Sequence, residues 1–167
     1  MLRGAIVEAL ERVGDVRGAL RCLRENVKCA KERRDECLLW NALGELQAFC
    51  LSRAKYAELG LRVTERLLQL ADEEKTVAVL RCDRADLLAA SGRLAGAEEE
   101  YRGLFSDHPG VPFARFRYPL FLYQHGKAAE AEEVLVSLLG PGGGADAETR
   151  QAARELLADI GRGSGTG

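Results

Sequence analysis

Residues 92–101 read GRLAGAEEEY, and the pattern returns as GKAAEAEEVL over residues 126–135. Both copies place a glycine five positions before an alanine and end on a large side chain, Tyr101 or Leu135. A fixed period of about 34 residues, with helix-forming residues between the glycines, is typical of helix-turn-helix repeat proteins. The sequence therefore predicts an all-α protein built from helical hairpins.

The small residues of this pattern have separate physical roles. Gly92 and Gly126 are expected where one helix ends in a tight turn, because glycine adopts a positive φ without steric cost. Ala97 and Ala131 fall in the next helix, where a small side chain lets two antiparallel helices approach closely. We therefore expect both alanines to be buried.

The pattern resembles the tetratricopeptide repeat. Trp40, Leu43 and Gly44 match the Trp-x2-Leu-Gly opening of that repeat's first helix, and Gly14 again precedes an alanine, Ala19, by five positions. The resemblance implies a right-handed α-solenoid of about four helix-turn-helix repeats, over residues 2–34, 35–73, 74–110 and 111–140, plus a C-terminal capping helix. The equivalent alanines are Ala19, Ala57, Ala97 and Ala131, and the first two intervals between them are longer than the last. This longer spacing resembles the extended variety of the repeat.

Periodicity and capping residues predict where the helices begin and end. Helices are expected over residues 2–13, 16–33, 35–52, 56–71, 74–91, 94–105 and 112–125, with a last one capped by Asp146 and ending near Ile160. Pro119 lies inside the helix over 112–125, where a kink is expected. We expect one domain over residues 1–160 and a disordered glycine-rich tail over 161–167. The first helix has no cap before it, so the chain either continues upstream or pairs with a second copy through this edge.

Composition narrows the class of protein. The formal net charge is −2, which gives no net attraction to nucleic acid. No apolar stretch approaches the ~20 residues of a membrane helix, so the sequence indicates a cytoplasmic protein that does not contact a membrane. The five cysteines include no CxxC pair and are interpreted as reduced thiols, with no metal and no cofactor expected. His108 and His125 have no nucleophile or carboxylate at a recognisable spacing, so no enzyme is predicted.

In the family that the chain resembles, one face of each first helix lines a concave groove. Carried over to this chain, those positions predict a partner-binding site at Glu8, Asn41, Glu45, Asp86, Phe113, Phe116, Leu120 and Tyr123. Glu8, Glu45 and Asp86 occupy the same position in three successive units. Such a groove suits an extended or helical peptide with basic residues and an apolar anchor. The alternative is that these carboxylates only solvate an exposed surface.

Arg17, Arg21, Arg24, Lys28 and Lys31 recur in steps of four, three, four and three residues along the second predicted helix. This basic stripe could hold phosphates or an acidic partner, or it could simply be solvated. The function predicted first is a non-enzymatic scaffold or adaptor that binds a peptide or a partner protein in its groove. The alternatives are a regulatory or ligand-sensing segment of a larger signalling or transcriptional protein, and docking through the basic stripe.

Overall fold

Capping residues fix several helix ends in the computed structural model, which describes residues 2–164 and the side chains from 5 to 162. Asp15 and Asp35 each accept a hydrogen bond from a backbone N–H three residues later, at 2.9 Å. Asp146 accepts from Thr149 N at 2.8 Å, as expected for the cap of the last helix. Gly92 and Gly126 have φ values of 82° and 77°, which confirms the predicted turn conformation.

The described residues form helices joined by turns and short loops, without strands. The helices are α1 Leu2–Arg12, α2 Val16–Arg33, α3 Glu36–Leu51, α4 Ala57–Leu68, α5 Glu74–Ala90, α6 Leu94–Asp107, α7 Pro112–Gln124, α8 Ala128–Leu139 and α9 Ala147–Ser164, with a 3-10 turn at Ala54–Tyr56. Each helix pairs with the next one along the chain within two compact units, the first reaching to Ala71 and the second starting at Asp72. The predicted all-α class is confirmed.

Unit 1 contains α1 to α4, and α3 packs against both α2 and α4. Leu23 of α2, Phe49 of α3 and Leu67 of α4 are buried. Between α3 and α4 the buried Gln47 amide donates to the hydroxyl of Thr64 at 2.8 Å. This bond satisfies two polar groups that the core would otherwise leave without water.

Unit 2 contains α5 to α9. Here α7 packs against α5, α6, α8 and α9, so it is the central helix of this unit. Ala97 and Ala131 are fully buried, as predicted from the repeat, and so are Tyr101 and Leu135 four residues further on. The alanines allow close helix approach, and the larger side chains fill the space beside them.

Three helices have an end that differs from the prediction by two residues or more. The fourth helix, expected over 56–71, is preceded by the 3-10 turn and ends at Leu68. α6, expected to end at residue 105, continues to Asp107. α9 continues to Ser164, so residues 161–164 of the expected disordered tail are helical, while residues 165–167 lie outside the described part.

α7 continues as a helix through Pro119, and Pro119 is buried.

Arg115 of α7 holds together three segments of unit 2. Its Nε donates to the carbonyl of Phe105 at 2.9 Å, its guanidinium lies 4.4 Å from the centre of the Phe105 ring, and its Nη1 donates to the carbonyl of Gly143. Burial lowers the pKa of Arg115. The side chain thus anchors the segment 141–144 to the end of α6.

Candidate functional site

The first candidate site is a cleft of about 310 Å³ in unit 1, formed by α1, α2 and the end of α3. We call it the acidic cleft, and its lining residues are Val7, Glu8, Glu11, Leu23, Glu45, Ala48, Phe49, Ser52 and Arg53. Val7, Leu23 and Phe49 are buried and give the cleft an apolar floor. Glu8 and Glu45 are exposed to solvent. An apolar floor with a few polar groups above it is the usual composition of a binding site.

The charges that line the cleft do not balance. Among the described lining residues Arg53 is the one cation. Nη2 of Arg53 donates to Oε1 of Glu11 at 2.8 Å, and the Arg53 guanidinium lies 4.2 Å from the centre of the Phe49 ring. Glu8 pairs with Arg12 at 3.3 Å on the exposed face of α1. Glu45 forms no ion pair with any described residue. The cleft therefore has an excess of negative charge, with Glu45 available to a ligand.

The structure brings together two of the three site residues predicted in unit 1. Glu8 and Glu45 both line the acidic cleft, although they lie on different helices, α1 and α3. Asn41 does not line it; it is exposed, and its amide lies 3.9 Å from the sulfur of Cys37 one turn earlier in α3.

The second candidate site lies in unit 2, around the predicted site residue Asp86. One carboxylate oxygen of Asp86 accepts from the hydroxyl of the buried Tyr101, and the other accepts from Nη2 of Arg117. Arg117 Nη2 is also 3.3 Å from the Tyr101 hydroxyl. Asp83 lies one turn before Asp86 in α5. We call Asp83, Asp86, Tyr101 and Arg117 the polar cluster; it joins α5, α6 and α7.

Burial changes the titration of two groups at this cluster. Burial, with the like charge of Asp86, raises the pKa of Asp83 to about 6, although Arg117 opposes this change. Burial also raises the pKa of the neighbouring Cys82 thiol to about 12. Cys82 is therefore protonated at neutral pH and is a weak nucleophile. Asp86 is committed to two partners, whereas no described group donates a hydrogen bond to Asp83.

The predicted apolar anchors of α7 differ in their exposure. Phe113 is 38% exposed, so much of its ring faces solvent. Phe116, Leu120 and Tyr123 are half-buried and pack against the core of unit 2. These three side chains therefore contribute to packing, and only part of each is available to a partner.

Both histidines lie beside groups of neighbouring residues, and Nδ1 of His108 is buried without a hydrogen-bond partner among the described residues. Nε2 of His108 lies 3.2 Å from Nη1 of Arg81, so this ring nitrogen already has a hydrogen-bonding partner. Nδ1 of His108 lies 3.5 Å from Oε1 of Glu74. Nδ1 of His125 donates to the carbonyl of Phe121 at 2.8 Å. Within residues 2–164, no group of three or more His, Cys, Asp or Glu side chains has the geometry to hold a metal ion.

Sequence reasoning missed two features of these sites. It did not place Arg53 in the acidic cleft, because the contact with Glu11 joins residues that are distant in the sequence. It also did not predict that Asp83 and Arg117 lie close together. The number of residues between Asp83 and Arg117 is the same as the number between Gly92 and Gly126. The repeat thus contained a signal for the polar cluster, since equivalent positions of neighbouring hairpins lie side by side.

Comparison with protein-family models and with curated proteins gives no match. No helix in the described part of the chain is long and apolar enough to cross a membrane.

Proposed function

We propose that the protein is a non-enzymatic interaction scaffold of the tetratricopeptide-like type, a right-handed stack of helical hairpins. Its acidic cleft binds a basic side chain of a partner peptide or protein. The observation that supports this most directly is Glu45, a carboxylate without an ion pair among the described residues, beside Glu8 and above an apolar floor. A binding role agrees with the fold class, because helical repeats offer extended surfaces to partners.

The dimensions of the cleft suit a lysine or arginine side chain. Such a side chain has an apolar stem and a charged head, so it can bury the stem while the head meets a carboxylate. In the acidic cleft the stem would contact Val7 and Phe49, and the head would reach Glu45 and Glu8. A volume of about 310 Å³ holds a few side chains and excludes a whole folded domain.

The polar groups of the cleft favour binding over catalysis. Among the described lining residues Ser52 has the one hydroxyl, which donates to the carbonyl of Phe49 at 3.0 Å and accepts from Nη1 of Arg53 at 2.5 Å. Both interactions fix the hydroxyl in place, and neither partner is a base that could remove its proton. The carboxylates therefore act as charged ligands for a cation.

A peptide-display selection with the intact chain tests this proposal. Selected peptides are expected to share a lysine or arginine next to an apolar residue. Glu45→Gln is expected to weaken their binding about 5-fold, because it removes the available carboxylate. Glu36→Gln is the matched control, since Glu36 is an exposed acid of the same helix that does not line the cleft. Peptides without basic residues, or equal losses for both variants, would overturn the proposal.

The α7 side chains form a second proposed contact surface, with Phe116 and Tyr123 as apolar anchors and Asp86 of α5 as a charged contact. Truncating a central anchor typically costs ~2 kcal/mol or more of binding free energy. Phe116→Ala is therefore expected to weaken binding more than Glu45→Gln. Thermal unfolding is measured beside affinity, because Phe116 also packs against the core. A loss of stability with unchanged affinity per folded molecule would show that Phe116 serves packing alone.

A further inference from the structure

A row of five basic side chains runs along α2, and we call it the basic row: Arg17, Arg21, Arg24, Lys28 and Lys31. Steps of four and three residues keep all five within about 80° of the helix circumference, over a length of about 21 Å. All five are exposed to solvent. Leu23, which lines the acidic cleft, points to a different side of α2. The basic row is therefore a surface distinct from the cleft.

The charges of the basic row are not neutralised within the described chain. None of the five side chains forms an ion pair with a described residue, although Glu25 and Glu32 follow Arg21 and Lys28 by four residues. Many of the other cations are paired, among them Arg53, Arg81, Arg102, Arg117 and Lys127. Like charges three or four residues apart on a helix repel one another, so the row destabilises α2 slightly. A ligand of opposite charge would remove that repulsion.

We propose that the basic row docks an acidic helical segment of a partner protein. A helix presents its own side chains in the same steps of three and four residues, so carboxylates on one of its faces can match all five cations in register. A row of about 21 Å corresponds to four turns of such a helix. Glu25 and Glu32, seven residues apart along one edge of the row, would meet basic side chains on the flank of that helix.

Three observations favour a protein helix over a nucleic acid. Glu25 and Glu32 would repel a phosphate backbone, which is negative along its whole length. The net charge of −2 provides no long-range attraction for a polyanion. α2 contains no aromatic side chain on which a base could stack.

The test uses a synthetic helical peptide of about 21 residues as the probe. Glutamates occupy one face in steps of three and four, with lysines on the flank; a second peptide has the same composition in scrambled order. The intact protein is expected to bind the first peptide more tightly, with an affinity that falls with added salt. Replacing Arg21, Arg24 and Lys28 together by Gln is expected to lower the affinity about 8-fold, roughly 2-fold for each exposed charge pair.

The matched control replaces Lys75, Arg150 and Arg154 by Gln, three exposed cations of unit 2. This variant has the same net charge as the basic-row variant, so it separates local contacts from long-range attraction. It should bind the peptide within about 2-fold of the unmodified protein. The basic-row variant should melt at the same temperature or higher, since it has lost repulsion. Equal binding of the scrambled peptide, equal losses in both variants, or tighter binding of an RNA strand of the same length would each overturn the proposal.

Discussion

Replacing Asp83 by Asn is expected to stabilise the protein near neutral pH and to have little effect in mild acid. Asp83 is half-buried on α5 and accepts no hydrogen bond from a described group, so its charge lacks the support that Asp86 has from Tyr101 and Arg117. Asparagine has nearly the same shape and no charge. The substitution therefore removes an unfavourable charge without creating a cavity.

The magnitude follows from the raised pKa of Asp83. Its ordinary pKa is 3.8, and burial raises it to about 6 in the folded chain. The folded state therefore binds a proton more tightly than the unfolded state, and stability is lost as the pH rises from about 4 through about 6. Two pKa units correspond to about 3 kcal/mol. Because water reaches part of the carboxyl, about 1–2 kcal/mol is the expected loss.

The assay is urea unfolding followed by helical circular dichroism, at about pH 4.5 and at about pH 7.5. Asp83→Asn should exceed the unmodified protein in unfolding free energy by about 1–2 kcal/mol at the higher pH, and by much less at the lower pH. Asp86→Asn is the control with the opposite sign, since it removes the negative charge that pairs with Arg117 and leaves one acceptor oxygen for two donors, Arg117 and Tyr101. An Asp83→Asn variant that is less stable than the unmodified protein at the higher pH would refute the reasoning.

Two further predictions concern the packing of two buried alanines and a buried hydrogen bond. Ala97→Leu and Ala131→Leu should each lower the unfolding free energy by about 1–3 kcal/mol through overpacking. The control Ala95→Leu, at an exposed position of the same helix as Ala97, should change the unfolding free energy by less than about 0.5 kcal/mol. Equal effects at buried and exposed positions would contradict the close approach of the helices. Thr64→Val should cost about 1–3 kcal/mol by chemical denaturation, because it leaves the buried amide of Gln47 without its partner, and a neutral result would show that water reaches this amide.

Local signals in the sequence were enough to predict most of the helices. Asp35 and Asp146 cap helices where expected, and Gly92 and Gly126 terminate them, because these residues act through their own backbone and nearest neighbours. The 3-10 turn before α4 could not be predicted in this way. Arg53, just before the 3-10 turn, is held by Glu11 and by the ring of Phe49. The sequence around Arg53 does not indicate a contact with a residue as distant in the chain as Glu11.

The candidate sites could be predicted only in part, for the same reason. Helical phase indicated that Glu8 and Glu45 occupy equivalent positions, and both line the acidic cleft. Helical phase alone could not show that Phe116 and Tyr123 would be half-buried, since their burial depends on the helices that pack against α7. The exposure of a side chain depends on the neighbouring helices, whereas its helical phase depends only on its position in its own helix.

The anchoring of residues 141–144 by Arg115 has a consequence for protein engineering. A Pro-Gly-Gly-Gly sequence ordinarily marks a place where a tag, a reporter domain or a protease site can be inserted. In this chain Gly143 is buried, its carbonyl accepts from the Arg115 guanidinium, and a Cβ added to it would collide with the carbonyl oxygen of Leu138. An insertion there would separate a buried cation from its acceptor. Fusion partners should therefore be placed elsewhere, because the segment that looks most like a spacer is one of the fixed points of unit 2.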